Sequence, residues 1–283
     1  MSDMDATRSP VPVVPLGAAV QIPQLGFGVF QVPPDDTAEV VARALDAGYR
    51  HIDTAAAYRN ERGVGEAVRA SGLAREDVFV TTKCWNEQQG YEASRAAFDA
   101  SERRLDVGAV DLYLIHWPVP ARDLYVDTWR TFGELQDEGR VRAIGVSNFQ
   151  PAHLRRVVEE TGRTPAINQI ELHPYFQQAE LRRVHAELGI VTECWSPLAQ
   201  GAVLDDPAIV EIAAAHGKTP GQVVIRWHLQ LGSVVIPKSV TPSRISENFD
   251  VFDFELSDAE MEAIEDLDAG RRIGPDPDLF VSP

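Results

Sequence analysis

Asp53, Tyr58, Lys83 and His116 are residue types that could together deliver a proton to a carbonyl oxygen. A carbonyl that accepts hydride needs a proton for its developing alkoxide. Tyr58 is a candidate donor, whose ordinary pKa of about 10 has to fall for work near neutrality. Lys83 could supply the cation that lowers it, and Asp53 could hold that ammonium by a charge-assisted hydrogen bond in a partly desolvated site. His116 would then orient the carbonyl oxygen. Other readings stay open. Lys83 and Asp53 could form a structural ion pair, Tyr58 could be a rim aromatic and His116 a satisfied core histidine. A lysine whose charge is suppressed could instead attack a carbonyl as an amine, as in a Schiff-base lyase, a reading that Asp53 opposes.

The elements that must position these groups follow from the hydrophobic pattern. Runs of strand character lie at 25–28, 51–55, 78–83, 110–116, 141–147, 166–172, 190–196 and 234–237, separated by stretches with one apolar helical face. Asp53, Lys83, His116, Asn148, Gln169 and Lys238 fall at or near the C-terminal ends of these runs. Strands alternating with helices predict a parallel sheet, and its closed form is the (β/α)8 TIM barrel, whose active face is that same end. Residues 13–23 read as a hairpin covering one end, although Gly-Ala-Ala is a poor primed turn. Residues 206–217 and 256–267 read as accessory helices, and the proline-bearing end, 271–283, as an irregular tail. With no composition break, residues 1–283 are expected to form one barrel domain, with 1–12 and 269–283 as irregular tails.

Composition removes several classes of function. The 43 acidic against 26 basic residues give a net charge of −17, which repels polyphosphate and anionic membrane surfaces and makes nucleic acid a poor partner. Cys84 and Cys194 are far apart within apolar runs, so reduced buried thiols are expected. No apolar run reaches membrane-spanning length, and the opening residues lack the apolar centre of a secretory signal, so a cytoplasmic location is expected. The histidines show no metal-ligand spacing, and no metal is expected.

GYRHIDTAAAYRNE (48–61), the lysine of VTTKCWN (80–86), LIHWP (114–118) and IPKSVTPSRISEN (236–248) together resemble the aldo-keto reductases across nearly the whole chain. The resemblance implies NADPH-dependent reduction of aldehydes and ketones, with Tyr58 as general acid, Asp53 and Lys83 as its tuning pair and His116 as the orienting group. It also implies a cofactor lying across the barrel mouth. Ser147, Asn148 and Gln169 would meet the carboxamide, and Trp195 would stack on the nicotinamide. Gly28, Val29, Ser196, Pro197 and Leu198 would run beside the nucleotide. Lys238, Ser239, Val240, Thr241 and Arg244 would surround the adenosine 2′-phosphate, with Glu247 and Asn248 at the adenine, which favours NADPH (NADP+) over NADH. Tryptophan at 195 resembles the bacterial 2,5-diketo-D-gluconate reductase branch.

The substrate pocket implied by the resemblance is walled by Phe27, Phe30, Trp85 and Trp117, which suits small carbonyls, α-dicarbonyls and keto-sugars. A monomer is the expected state. A glycine-rich nucleotide turn between strand and helix is absent, and GVGEAV (63–68) sits inside a helical pattern. A nucleotide-binding subunit of the channel-partner kind, with little turnover, remains the alternative, because fold does not fix function.

Overall fold

A computed structural model describes residues 11–281, so the first ten residues of the expected N-terminal tail lie outside the described ones. Strands β1 (Val13–Leu16) and β2 (Val20–Pro23) pair antiparallel from Val13↔Pro23 to Leu16↔Val20. Gly17 opens their turn at φ 73°, a left-handed value that a residue without Cβ adopts at little cost. The expected hairpin is therefore present, with a three-residue turn in place of the two-residue primed type.

The barrel strands are β3 (Phe27–Gly28), β4 (His51–Asp53), β5 (Phe79–Cys84), β6 (Val110–Ile115), β7 (Val141–Ser147), β8 (Ile167–Glu171), β9 (Val191–Trp195) and β10 (Val234–Val235). They form one eight-stranded sheet in sequence order, with parallel neighbours throughout. A parallel bridge between Leu25 and Val235 closes the sheet into a barrel, and Gly26 N donates to Val235 O at 2.8 Å. The helices are α1 (Thr37–Ala47), α2 (Glu61–Ala70), α3 (Tyr91–Leu105), α4 (Tyr125–Asp137), α5 (Pro151–Thr161), α6 (Ala179–Leu188), α7 (Pro207–His216), α8 (Pro220–Gln230), α9 (Pro242–Phe249) and α10 (Asp258–Glu265). The two expected accessory helices are α7 and α10. Gly63 and Gly65 lie within α2, where an added Cβ would stand 2.8 Å from Thr37 Cβ and 1.8 Å from Leu105 O. That glycine pair lets α2 approach its neighbours and cradles no phosphate.

Side chains two apart on a strand share a face, so each barrel strand sorts its residues into an inner and an outer set. The inner set is layered. Phe79, Leu112, Leu114, Ala143, Ile167 and Val234 form an apolar floor, and Leu16, Val20 and Ile22 of the hairpin pack against it. Farther along the strands come buried polar groups: His51, Thr81 and Glu193, then Asp53, Lys83 and Gln169. The outer set packs against the helices in the larger core. A plugged apolar floor beneath a polar mouth places the reactive groups at one end. No helix among the described residues is long and apolar enough to cross a membrane.

Candidate active site

Parallel register sets the site. Asp53 ends β4 opposite Thr81, so Lys83, two residues on along β5, projects from the same inner face toward the mouth. The Lys83 ammonium donates to both Asp53 oxygens at 2.6 and 2.7 Å and to Thr54 O at 2.9 Å. It lies 5.2 Å from the centroid of the Tyr58 ring, which a short 3-10 turn (Ala56–Tyr58) carries just beyond β4. The Tyr58 ring meets His116 edge-on at 5.6 Å, and Trp85 meets His116 at 5.0 Å. The four expected catalytic residues therefore meet at one place.

The electrostatics differ from the sequence expectation in one respect. Burial raises the Tyr58 phenol above its ordinary value, and the Lys83 charge pulls it back only in part. Burial outweighs the cation because Lys83 is itself neutralised by Asp53. A phenol that keeps its proton at neutral pH is a reservoir for donation. Burial alone would lower Lys83, but the Asp53 carboxylate, together with Tyr58 and Glu193, offsets it, and the amine ends above the ordinary lysine value. A protonated Lys83 is a poor nucleophile, which opposes the Schiff-base alternative. Burial, followed by the Lys83 charge, holds His116 well below the ordinary histidine value, so the imidazole is neutral. His116 Nδ1 has no hydrogen-bond partner among the described residues.

The expected nicotinamide contacts sit on β7, β8 and β9. Ser147 Oγ donates to Gln169 O at 2.9 Å, and Asn148 Nδ2 donates to His116 O and to Ser147 Oγ, both at 3.0 Å. Asn148 takes φ 64°, and its Oδ1 accepts from Trp195 Nε1 at 2.8 Å. Trp195 is partly exposed and Ser196, at φ 49°, turns the chain away after it. Pro197 O faces His228 Nε2 at 3.3 Å, and Leu198 packs on the main core. The Gly28 amide donates to Pro237 O at 3.1 Å and the Val29 amide to Asp53 O at 3.0 Å. The Val29 side chain is buried in the core, so only its backbone is placed to face a ligand.

Beyond β10, Lys238, Val240, Thr241 and Arg244 are exposed around the start of α9, with Ser239 and Asn248 buried beside them and Glu247 half-buried. Ser239 Oγ accepts from Thr241 N at 3.1 Å. Neither Lys238 nor Arg244 makes an ion pair among the described residues, whereas Arg75, Arg140, Arg142 and Arg156 all meet carboxylates. In a chain of net charge −17, two free cations at one helix start suit a phosphate. The residues present thus fit a nicotinamide nucleotide with a 2′-phosphate.

The aromatic walls need one correction. Phe30 lies 5.1 Å from the Tyr58 ring and is 54% exposed, Trp85 contacts His116, and Trp117 is 6.5 Å from Trp195. Phe27 does not join them. It is registered with Ile52 on the outer face of the barrel, is 1% exposed and packs on Tyr49 at 5.3 Å. Strand alternation gives the mouth-facing position to Gly28.

The tail supplies what the sequence reading lacked. It has no regular element, as expected, but it docks across the mouth. Glu171 accepts Ile273 N at 2.6 Å and Gly274 N at 2.8 Å, and Phe280 lies on Trp117 at 4.5 Å. The apolar Leu-Phe-Val after the prolines was the available signal. Glu193 was also missed: a lone carboxylate inside the apolar run of β9 is unusual enough to mark.

Comparison with known proteins agrees with this geometry. The aldo/keto reductase family pattern matches residues 24–269. An aldo-keto reductase of Mycolicibacterium smegmatis is 61% identical over 269 residues, covering 95% of this chain and 98% of that protein. The methylglyoxal reductase DkgA of Escherichia coli is 54% identical over 261 residues, covering 92% of this chain and 94% of its own. Among solved structures, a Gox0644 mutant in complex with NADPH superposes with TM-score 0.93 at 48% identity, over 97% of this chain and 100% of that one. The chain belongs to the aldo/keto reductase family and is an NADPH-dependent oxidoreductase of carbonyl groups.

Proposed function

We propose that this chain reduces small aldehydes, α-dicarbonyls of the methylglyoxal kind and short keto-sugars to alcohols, with Tyr58 as the proton donor. The observation that carries the reading is the Lys83 ammonium held between the Asp53 carboxylate and the Tyr58 ring, beside a neutral His116. Bound NADPH supplies the hydride, which adds to the carbonyl carbon. Tyr58 gives its proton to the carbonyl oxygen, and the phenolate left behind is stabilised by the neighbouring ammonium until it takes a proton from solvent. His116, uncharged, offers a ring nitrogen to orient the oxygen without adding a second cation beside Lys83.

Ser147, Asn148 and Gln169 hold the carboxamide, Trp195 gives its face to the ring, and Ser196, Pro197, Leu198 and the backbone at Gly28 and Val29 line the nucleotide. Lys238, Arg244 and the Ser239–Thr241 turn take the 2′-phosphate, with Glu247 and Asn248 at the adenine. Phe30, Trp85 and Trp117 wall a pocket suited to compact, uncharged carbonyls. Two methylglyoxal reductases named DkgA, each 54% identical to this chain, support α-dicarbonyls as the leading substrates. The chain acts through one barrel domain, as a monomer in the cytoplasm.

The test is oxidation of NADPH and of NADH by the purified protein against methylglyoxal, phenylglyoxal, simple aldehydes and keto-sugars. NADPH-dependent turnover that falls about 100- to 10,000-fold in Tyr58→Phe, with nucleotide binding retained, is the expected result. Nucleotide binding without turnover on any carbonyl would overturn it in favour of a binding subunit.

A further inference from the structure

Gln169 and Glu193 are register partners on β8 and β9, so both side chains point into the barrel. Gln169 Nε2 donates to Asp53 Oδ2 at 2.9 Å and to Glu193 Oε2 at 2.9 Å. Both amide hydrogens are thus taken by carboxyl groups, one on each side. The reverse orientation would set the amide oxygen against Asp53, so the two acceptors fix which end of Gln169 faces which way. Gln169 Oε1, the atom left over, is not tied up by any hydrogen bond among the described residues, at the mouth beside Ser147 and Asn148.

We propose that Glu193 is a positioning residue for the nicotinamide: by holding the second Nε2 hydrogen of Gln169, it presents Gln169 Oε1 as the acceptor for the carboxamide amide. The inference rests on the reading of Gln169 as a carboxamide partner. Asp53 alone would leave the other N–H buried and unpaired, and the amide plane would turn in search of a partner. The Glu193 side chain is fully enclosed in the barrel interior. Its other oxygen, Oε1, has no hydrogen-bond partner among the described residues; His51 Nε2 is 3.7 Å away and bonded to Thr81 Oγ1 at 3.1 Å. Burial, reinforced by the Asp53 charge, raises Glu193 to about 8. With its proton on the unpartnered Oε1, Oε2 remains an acceptor at neutral pH.

The test compares Glu193→Met, which removes the acceptor, with Glu193→Gln, which keeps a carbonyl oxygen there. Affinities for NADPH and for adenosine 2′,5′-bisphosphate, which carries the 2′-phosphate but no nicotinamide, are measured on each. Glu193→Met is expected to weaken NADPH about 10-fold, the loss of one buried hydrogen bond, and to leave the bisphosphate unchanged. Glu193→Gln is expected to bind NADPH within about 2-fold of wild type, its acceptor being retained. Equal losses for both ligands would reduce Glu193 to a structural role, and wild-type NADPH affinity in Glu193→Met would remove the role altogether. Glu193→Ala repeats the comparison without added bulk should the methionine variant not fold. Gln169→Ala separates the two readings: if it binds NADPH normally, the carboxamide role of Gln169 fails. If it weakens NADPH while Glu193→Met does not, only the role of Glu193 fails.

Discussion

Phe280 rests on Trp117 with ring centroids 4.5 Å apart and planes inclined by 47°. A residue of the tail thereby covers a tryptophan that follows a barrel strand at the mouth, which on the proposed reading makes the tail part of the substrate pocket wall. Glu171 anchors the same segment through two backbone amides, and Asp278 reaches within 3.4 Å of His153 Nε2 on α5. An irregular tail held at both ends is a wall that substitutions can remove without touching the catalytic groups.

Phe280→Ala is therefore expected to raise KM for phenylglyoxal about 10-fold, the scale of a lost apolar wall contact, and to leave NADPH affinity unchanged. Gly274→Ala should also raise this KM but, unlike Phe280→Ala, should weaken NADPH as well, because a Cβ there would stand 2.5 Å from the Trp195 ring and 2.8 Å from Glu171 Oε2. Steady-state kinetics with NADPH saturating checks both. Unchanged KM in both variants would place the tail outside the substrate's reach.

The Lys83–Asp53 pair gives a prediction about stability. Both side chains are buried, so removing one partner leaves a charge uncompensated in a poorly solvated place. Lys83→Met should lose about 3–5 kcal/mol in urea denaturation. The double variant Lys83→Met with Asp53→Asn should recover part of that loss and remain inactive. If the double variant is as unstable as the single one, the loss comes from packing and not from the orphaned charge.

Much of this was legible in the sequence, for a physical reason. A parallel barrel buries both faces of its strands, so the runs stand out as apolar, and a polar residue ending such a run has little to do there but chemistry or backbone satisfaction. Asp53, Lys83, His116 and Gln169 were visible on that ground. Phe27 was misplaced because nearness to the mouth along the chain says nothing about which face a side chain takes. The direction of the Tyr58 shift depends on how far burial outweighs a cation that is already paired, and sequence does not contain that balance. The tail was readable as irregular, but its docking depends on Glu171 being turned toward it, a tertiary fact.

Lys238 and Arg244 lead to a test of cofactor choice. Both are exposed and free of carboxylates among the described residues, unlike most arginines on this acidic surface. Replacing Arg244 by Ala should raise the Kd for NADPH by about 10- to 100-fold, the loss of a charge-assisted contact, and leave NADH nearly unaffected. Raising salt should weaken NADPH binding to the wild type more than to the variant, since the exposed charge is screened. Equal effects on both nucleotides would move the 2′-phosphate elsewhere.

Glu193 carries a pH dependence whose sign can be worked out. In the folded chain burial and the Asp53 charge raise it to about 8, against an ordinary value of 4.5. Between these two values the folded protein keeps a proton that the unfolded chain has released, so stability from this group is complete below about 4.5 and is lost as pH rises through about 8. Buried His185 and His228, lowered to about 4 and about 3, act in the opposite sense: their contribution is present above the ordinary histidine value of 6.5 and is lost as pH falls toward those folded values. Those histidine effects are common to wild type and to Glu193→Gln, which stays neutral at every pH, and they cancel in the difference between the two. The Tm of Glu193→Gln minus that of the wild type should therefore climb between pH 5 and pH 8, reaching on the order of 5 °C, and level off above. Asp53, Lys83, Tyr58 and His51 are the titratable groups facing Glu193; His51, lowered to about 3, and Tyr58, raised above its ordinary value, both stay neutral through this window. A difference that is flat with pH would mean that Glu193 ionises in the folded protein as it does in the unfolded chain, with the barrel interior far better solvated than its burial implies.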